Sequence, residues 1–543
     1  MKRSSIKATL LFLLLSPLAW AQTLQEGLTA IDYDKFELAK TIFTQLTQKE
    51  PASGINYYYL GVSNINLFNN SEAKVAFTKG TQVEPTHPAN YAGLGRLLLN
   101  EGKKEEAKLQ FDKALSFSRT KDGRYKDLNA IIYVADNMIA PENPMVDEAS
   151  QLIDIGIENP KLTYDFYITA GDVYLEKYPA NAGKAASLYE KAISLEKSNP
   201  KAYVRVSFIW LRVKNADATK AELQRAIAID SNYAPALKAQ AEYYYQTRQF
   251  DLAKKSYTKY LENSEPSIAN KQRFARILFR SQDWGAAIFL INEIQAVDSS
   301  DIFLYRLAGY SYYEYGAEIK DKLEALPYFQ KGITALNTFI ERVPKDKIVS
   351  NDYEYLGKLN ARIQGNDVIA TGYIAKALEL DPNKTELYRE AGDIYYKLKK
   401  FDEAVKYFES YISKTDKVTL LDYQKLGLSS YYSKQYQKCD SAYIKILELK
   451  PDYADGYYWR GTANASIDTE MKDTVAKYNY EKFVSLASAT PEKSKSKLIT
   501  AYEYLGGYAI QKDNNKLAKD YFDKIIVLDP ENQRAKDVLK QLK

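Results

Sequence analysis

Residues 57–85 read YYYLGVSNINLFNNSEAKVAFTKGTQVEP, and the spacing within this stretch decides the fold. Gly61 is its fixed point, with a tyrosine four residues earlier. Ala73, Phe77 and Pro85 follow Gly61 by twelve, sixteen and twenty-four residues. A small residue at the fixed point lets two helices approach closely, and the aromatic side chains fill the space between neighbours. The proline ends the second helix because it lacks an N–H and disfavours helical geometry before it.

The same spacing returns around Gly95, 34 residues after Gly61, and again around Gly506 near the C-terminus. Weaker copies fill the chain between them. A fixed period of this length predicts a helix–turn–helix repeat. The residue set resembles the tetratricopeptide repeat (TPR) family over nearly the whole chain. The resemblance implies an all-α fold, a right-handed α-solenoid or superhelix of about fourteen TPR-like repeats with a C-terminal capping helix.

The repeat pattern divides the chain of 543 residues into five segments. They are a signal peptide at 1–21, an N-terminal array of repeats one to nine at 22–332, a junction at 333–350, a C-terminal array of repeats ten to fourteen at 351–530, and a capping helix at 531–543. A polar cap is expected because an end repeat would otherwise expose its apolar face.

Residues 1–21 have the three parts of a signal peptide: a basic start, a short apolar run at 10–15, and small residues at Ala19 and Ala21. We expect cleavage after Ala21 and an exported chain, periplasmic or secreted. The apolar run is too short to span a bilayer, and the sequence predicts no membrane span elsewhere.

The formal net charge of +5 falls to +2 once the three basic residues of 1–21 are removed, so charge gives no case for a nucleic-acid partner. The chain has one histidine, His87, and one cysteine, Cys439. Far apart in sequence, they predict neither a Cys–His nucleophile pair nor a metal cluster. We therefore predict no catalytic residue, no metal ligand and no cofactor, and a protein that is not an enzyme.

In the TPR family the first helix of each repeat lines the concave face. Positions three before and one, four and five after the fixed residue tend to point inward. At the equivalent positions of this chain, repeats seven to twelve carry aromatic and cationic side chains. The predicted ligand-binding residues are Tyr245, Arg276, Phe279, Arg280, Arg306, Tyr310, Tyr313, Lys358, Arg362, Arg389, Tyr396, Lys397 and Tyr431.

The resemblance implies a non-enzymatic scaffold or adaptor that binds a peptide or protein segment in this groove. The exported start places it in the bacterial cell envelope, and we expect a monomer. Arginine pairs well with carboxylates, which favours an acidic segment as partner. One alternative is a glycan- or small-ligand-binding protein that uses the tyrosine rings of the groove. Others are a solvated face whose ion pairs are self-contained, and self-assembly through the end repeats.

Overall fold

The computed structural model describes residues 23–140, 143–265 and 267–542. The predicted signal peptide and its cleavage site lie outside these residues. Within them, regular secondary structure is helical apart from one isolated β-bridge between Arg119 and Tyr125. The chain divides into two compact units, Met1–Val297 (unit 1) and Asp298–Lys543 (unit 2).

The described part of unit 1 contains sixteen α-helices. They are α1 (Leu24–Asp32), α2 (Phe36–Lys49), α3 (Gly54–Asn66), α4 (Asn70–Val83), α5 (Pro88–Asn100), α6 (Lys104–Ser116), α7 (Leu128–Ile139), α8 (Val146–Ile157), α9 (Tyr164–Glu176), α10 (Ala182–Leu195), α11 (Pro200–Arg212), α12 (Ala216–Ile229), α13 (Ala234–Gln246), α14 (Phe250–Asn263), α15 (Ile268–Arg280) and α16 (Trp284–Val297).

The described part of unit 2 contains thirteen α-helices and a short 3₁₀ turn at Lys345–Lys347. The helices are α17 (Ile302–Glu318), α18 (Lys322–Arg342), α19 (Ser350–Ala361), α20 (Asp367–Leu380), α21 (Thr385–Lys397), α22 (Phe401–Ser413), α23 (Leu420–Tyr432), α24 (Tyr436–Leu449), α25 (Ala454–Ile467), α26 (Val475–Ala487), α27 (Pro491–Gln511), α28 (Asn515–Leu528) and α29 (Gln533–Gln541).

Each odd-numbered helix from α1 to α27 packs against the even-numbered helix that follows it. This pairing gives fourteen helix–turn–helix repeats, and α29 packs on α28 as the additional final helix. The predicted all-α repeat fold and its capping helix are therefore confirmed. The predicted boundaries of the two repeat arrays stay a prediction.

The glycine at the fixed point packs directly on the aromatic side chain sixteen residues later. A Cβ atom added to Gly61 would lie 2.2 Å from Phe77 Cε1, and one added to Gly95 would lie 2.5 Å from Phe111 Cε1. Both phenylalanines are fully buried. The two helices of a repeat are thus held together by a contact that leaves no room for a side chain at the glycine.

The turn between the two helices has a residue in the left-handed backbone region, seven positions after the fixed glycine. The φ angles are +55° at Asp34, +61° at Phe68 and +75° at Gly102. Only glycine adopts this region without strain, while Asp and Asn tolerate it better than other residues. The Phe68 side chain is 82% exposed. The second-repeat turn thus leaves this side chain outside the core of its helix pair.

Two segments that the sequence indicated as irregular contain regular helix. Helix α18 continues through residues 333–342 of the predicted junction, because Leu336 and Phe339 extend its apolar face and are fully buried. The Ser- and Lys-rich composition of residues 485–497, with Pro491, predicts a looser junction, but residues 485–487 end α26 and residues 491–497 form the start of α27. Pro491 occupies its first turn, where a missing N–H breaks no helical hydrogen bond.

We predict that Gly61→Ala destabilises its repeat by about 1–3 kcal/mol, because the Phe77 ring must move to admit one methyl group. Gly372→Ala is the matched control, since Gly372 lies exposed in α20 with no atom within 4 Å of its added Cβ. There alanine should stabilise the helix by up to about 1 kcal/mol. Amide hydrogen exchange in α3–α4 and α19–α20 measures both effects. Unchanged exchange in α3–α4 would contradict the packing account.

Candidate ligand-binding surfaces

The thirteen predicted ligand-binding residues lie in both units. Tyr245, on α13, and Arg276, Phe279 and Arg280, on α15, belong to unit 1. The other nine belong to unit 2, on or directly after the first helices α17, α19, α21 and α23. We describe the two groups separately.

In unit 2, the predicted residues on α17 are organised around a buried carboxylate. The Arg306 guanidinium donates from Nε to Asp352 Oδ1 and from Nη2 to Asp352 Oδ2, each at 2.8 Å. The Tyr310 hydroxyl also donates to Oδ1, at 2.6 Å. Asp352 is 0% exposed and accepts from the Val349 backbone N–H at the start of α19. Arg306 and Tyr310 therefore join two successive repeats.

The tyrosines of this cluster pack on one another. The Tyr310 ring stacks on the Tyr355 ring at 4.1 Å, and the Tyr313 ring meets Tyr355 edge-on at 5.5 Å. The Tyr355 hydroxyl donates to Glu314 at 2.5 Å. Burial, and then the neighbouring Asp352 carboxylate, raise the pKa of Tyr310, so its phenol stays protonated as a donor.

Three more predicted cations of unit 2 pair with carboxylates of the same array: Lys358 with Glu354 at 2.6 Å, Arg389 with Glu386 at 2.7 Å, and Lys397 with Asp367 at 2.9 Å. Arg362 lies exposed at the C-terminal end of α19. These contacts correspond to the alternative in which the cations of the helix face pair with carboxylates of the same array.

The last two predicted tyrosines of unit 2 lie in aromatic clusters between helix pairs. The Tyr396 ring meets Phe401 edge-on at 5.6 Å, and Tyr431 meets Trp459 at 5.2 Å. Both tyrosines are partly buried. Their rings thus contribute to packing within unit 2.

In unit 1, the Tyr245 ring is covered by the Arg273 guanidinium at 4.1 Å. Arg276 and Phe279 are partly buried on α15, and Arg280 is exposed at the end of that helix. The ligand-binding role of all thirteen predicted residues stays a prediction. Unit 1 also contains a second candidate ligand-binding surface, which the sequence did not predict.

That surface holds the turn of the first repeat. Asp32, Tyr33 and Asp34, here called the acidic turn, end α1 and begin the connection to α2. They lie against repeats six and seven, about 200 residues later in the chain. We call the side chains that contact the turn the receiving face: Lys201 on α11, Asp230 and Tyr233 before α13, Lys238 on α13, and Tyr260 on α14.

The two carboxylates of the acidic turn meet cations and hydroxyls of the receiving face. Asp32 Oδ1 lies 3.3 Å from Lys201 Nζ. Asp34 Oδ2 lies 3.6 Å from Lys238 Nζ and accepts a hydrogen bond from the Tyr260 hydroxyl at 3.0 Å. Two acidic side chains are therefore each matched by a lysine, on two successive first helices.

Tyr33 sits between these carboxylates and fits the same face. Its ring meets the Tyr233 ring edge-on at 5.5 Å, and its hydroxyl donates a hydrogen bond to Asp230 Oδ2. Burial, and then that hydrogen bond, raise the pKa of Tyr33, so the phenol remains a donor. The receiving face thus contacts a carboxylate, a phenol and a second carboxylate in sequence order.

A remote glutamate also caps the second helix of the first repeat. The Lys35 side chain makes no capping hydrogen bond at the start of α2. Instead the Glu265 carboxylate accepts from the backbone N–H groups of Glu37 and Leu38, at 2.6 Å and 3.2 Å. The Glu265 backbone N–H donates to the Asp34 carbonyl at 3.1 Å. A carboxylate here also complements the positive end of the helix dipole.

A cavity of about 480 Å³ lies beside the docked turn. Its walls combine the turn residues Ile31, Asp32 and Asp34 with side chains of α11, α13 and α15. The cationic members of those helices are Lys201, Arg205, Lys238 and Arg273. Part of the receiving face therefore borders open space that a further side chain can enter.

Arg205 connects the receiving face to a polar row deeper in unit 1. It pairs with Asp172 at 2.9 Å, and Asp172 accepts a hydrogen bond from the Tyr189 hydroxyl at 2.6 Å. Burial, and then Asp172, raise the pKa of Asp136 to about 7. These ionisable side chains lie between first helices, next to the lysines that contact the acidic turn.

The sequence contained one signal for this site. Lys238 lies three residues before the small fixed residue Ala241, the position that Arg306 and Arg389 occupy in their repeats. From the sequence we predict a ligand-binding role for that position only in repeats nine and eleven. The pairing of Lys201 and Lys238 with the acidic turn had no signal, because a 34-residue period carries no information about contacts between distant repeats.

The side chains most often used in catalysis have structural roles here. His87 Nδ1 accepts from the Ala89 backbone N–H at 3.3 Å and so caps α5. Cys439 is buried, and burial raises the pKa of its thiol to about 12, which keeps it in the unreactive thiol form. Among the described residues, no group of three or more His, Cys, Asp or Glu is placed to hold a metal ion.

None of the helices in 23–140, 143–265 and 267–542 combines the length and apolar character that a membrane crossing requires.

The family model for the tetratricopeptide repeat matches residues 89–121 and 385–413. These segments correspond to the helix pairs α5–α6 and α21–α22. With the repeated spacing and the fourteen helix pairs, the match identifies the chain as a member of the tetratricopeptide repeat family. Such repeats generally form non-catalytic scaffolds for interaction with other proteins or peptides. A comparison with curated proteins finds no match.

Similar solved structures include the C-terminal part of a TPR repeat-containing protein from Cytophaga hutchinsonii, which is 30% identical to this chain. The match covers 49% of this chain and 98% of that chain, with a TM-score of 0.35. A tetratricopeptide repeat protein from Parabacteroides merdae has 16% identity over 49% of this chain and 98% of its own, with a TM-score of 0.32. YrrB, described as a TPR protein with an unusual peptide-binding site, has 21% identity over 36% of this chain and 93% of its own, with a TM-score of 0.29.

We predict that Arg306→Ala destabilises the contact between α17 and α19 by about 3 kcal/mol, because it removes the guanidinium from a fully buried carboxylate. Lys397→Ala is the control among the predicted cations. Its side chain is 64% exposed, so the loss should be below about 1 kcal/mol. Hydrogen exchange in α17 and α19, compared with α20 and α21, measures the difference. Equal effects of the two substitutions would contradict a structural role for Arg306.

Proposed function

We propose that this protein is an exported, non-enzymatic scaffold of the bacterial cell envelope that binds an acidic segment of another protein. We further propose that the receiving face of unit 1 is the surface that binds it. The observation that carries the proposal is that this face already holds an acidic segment, the chain's own turn at Asp32 to Asp34. A surface that satisfies two carboxylates in one place has the chemistry needed for an external acidic peptide.

The strength of the contact suits a surface that exchanges ligands. The side chains of Asp32 and Lys201 are 37% and 35% exposed, so solvent and salt screen their attraction. Partly exposed pairs of this kind contribute about 0–1 kcal/mol each. The turn is therefore held by several modest contacts together with burial of the Tyr33 ring, and a partner with a similar pattern can compete for them.

The glycan-binding alternative has less support. Sugars bind proteins by stacking on aromatic faces, and the predicted tyrosines use their rings for packing within the chain. Tyr310 stacks on Tyr355, Tyr396 packs edge-on against Phe401, and Tyr431 packs edge-on against Trp459. We therefore favour a protein segment as the ligand.

The proposal is tested in living bacteria by placing a photo-reactive phenylalanine analogue at Phe208, which lines the cavity of unit 1. We expect a cross-link to another protein, through a segment that mass spectrometry shows to be rich in Asp or Glu. Lys201→Glu with Lys238→Glu should reduce the cross-link at least tenfold, because both charges that face carboxylates are reversed.

The matched control is Lys220→Glu with Lys255→Glu, which makes the same charge change on exposed positions of α12 and α14. This variant should retain the cross-link. Equal loss of the cross-link in both variants would show that it depends only on net charge. No loss in either variant would overturn the receiving face as the binding surface. Cell fractionation tests the location: a chain retained in the cytosol with residues 1–21 attached would contradict export.

A further inference from the structure

The acidic turn shows which kind of partner segment the receiving face fits. Three adjacent residues of the turn are contacted in three different ways. Lys201 pairs with the first carboxylate, Asp230 accepts from the phenol, and Lys238 with Tyr260 holds the second carboxylate. Two cations alone would accept any acidic stretch. The Asp230 carboxylate between them accepts from a donor at the centre, and the Tyr233 ring packs edge-on against an aromatic ring there, so a tyrosine satisfies both contacts.

From these contacts we infer that the receiving face selects a turn in which two carboxylates flank a tyrosine. We infer also that the first repeat is a built-in competitor, which a partner bearing such a turn must displace. This inference rests on the proposed function and specifies its ligand. The occupant is a segment of a partner protein with the pattern Asp-Tyr-Asp, presented in a turn as residues 31–35 present it here.

Displacement does not require the first repeat to unfold. Its second helix stays packed on the next repeat, where the Phe43 ring stacks on Tyr59 at 5.4 Å. The contacts that must break are those of the acidic turn and the cap that Glu265 provides to α2. Opening therefore separates the turn from repeats six and seven, while the repeat-to-repeat packing of α2 on α3 remains.

The competition also explains why binding by the native chain should be weak. The turn competes with a free segment intramolecularly, at an effective concentration set by the repeats that connect it to the receiving face. Weakening the tethered turn removes that competition without touching the receiving face. The substitution therefore makes the chain bind an external segment more tightly.

The test uses the mature chain and a fluorescent peptide of residues 28–38, LTAIDYDKFEL. We expect weak binding by the native chain. The Asp32→Asn with Asp34→Asn variant of the protein should bind the peptide at least tenfold more tightly by fluorescence anisotropy. Adding Lys201→Ala with Lys238→Ala should abolish this gain, whereas adding Lys220→Ala with Lys255→Ala should not.

Peptide variants test the selectivity. A peptide with Asn in place of both Asp should bind at least tenfold more weakly, and one with Phe in place of Tyr about threefold to tenfold more weakly, because Asp230 is left without its donor. Equal binding of the native and Asn peptides, or no gain in the protein variant, would overturn the inference. If the double variant fails to fold by circular dichroism, Tyr33→Phe in the protein replaces it, with a smaller gain expected.

The outcomes separate this inference from the proposed function. A cross-linked acidic partner that depends on Lys201 and Lys238, combined with no peptide binding, would overturn the turn pattern and leave the scaffold proposal standing. Peptide binding without a lysine-dependent partner would support the internal competitor and overturn the scaffold proposal at this face. A native dimer that dissociates on Asp32→Asn with Asp34→Asn would assign the face to a second copy of the chain and overturn a separate partner.

Discussion

The close contact between a side-chain-free position and an aromatic ring is the constraint on which the rest of this structure depends. Gly61 against Phe77 and Gly95 against Phe111 bring paired helices to a distance that any larger residue would prevent. The contacts of Gly27 with Phe43, Gly61 with Phe77 and Gly95 with Phe111 recur at an interval of 34 residues, so the first helices of these repeats follow one another in a regular order. Side chains at equivalent positions of successive first helices therefore lie in rows. These rows form the surface that is available to a partner.

The rows differ in how their charges are used. In unit 2, Arg306 pairs with the buried Asp352, Lys358 pairs with Glu354 of its own helix, and Lys397 pairs with Asp367 on the preceding helix. In unit 1, Lys201 and Lys238 meet the carboxylates of a turn that comes from a distant repeat. A cation paired within its own array stabilises that array. A cation paired with a remote, partly exposed segment is in a position to change partners.

The sequence predicted the fold well because its determinants are local. The glycine, the aromatic residue sixteen positions later and the proline that ends the repeat all lie within one period, so each repeat can be read alone. Helix ends were less predictable: Pro491 indicated a break but begins α27, since proline is tolerated in a first turn. The acidic turn was not predictable, because its contact with Lys201 joins residues more than 160 positions apart. That contact depends on how many repeats stack and how each one rotates, which the spacing does not specify.

The first repeat docks on repeats six and seven through its acidic turn. Pulsed electron resonance between spin labels at Gln45→Cys on α2 and Lys220→Cys on α12, both exposed positions, measures this directly. Cys439 is fully buried and takes no label. We predict one narrow distance distribution in the native chain that broadens or lengthens with Asp32→Asn and Asp34→Asn, but not with Glu105→Gln and Glu106→Gln at exposed positions of α6. An identical distribution in all three proteins would contradict it.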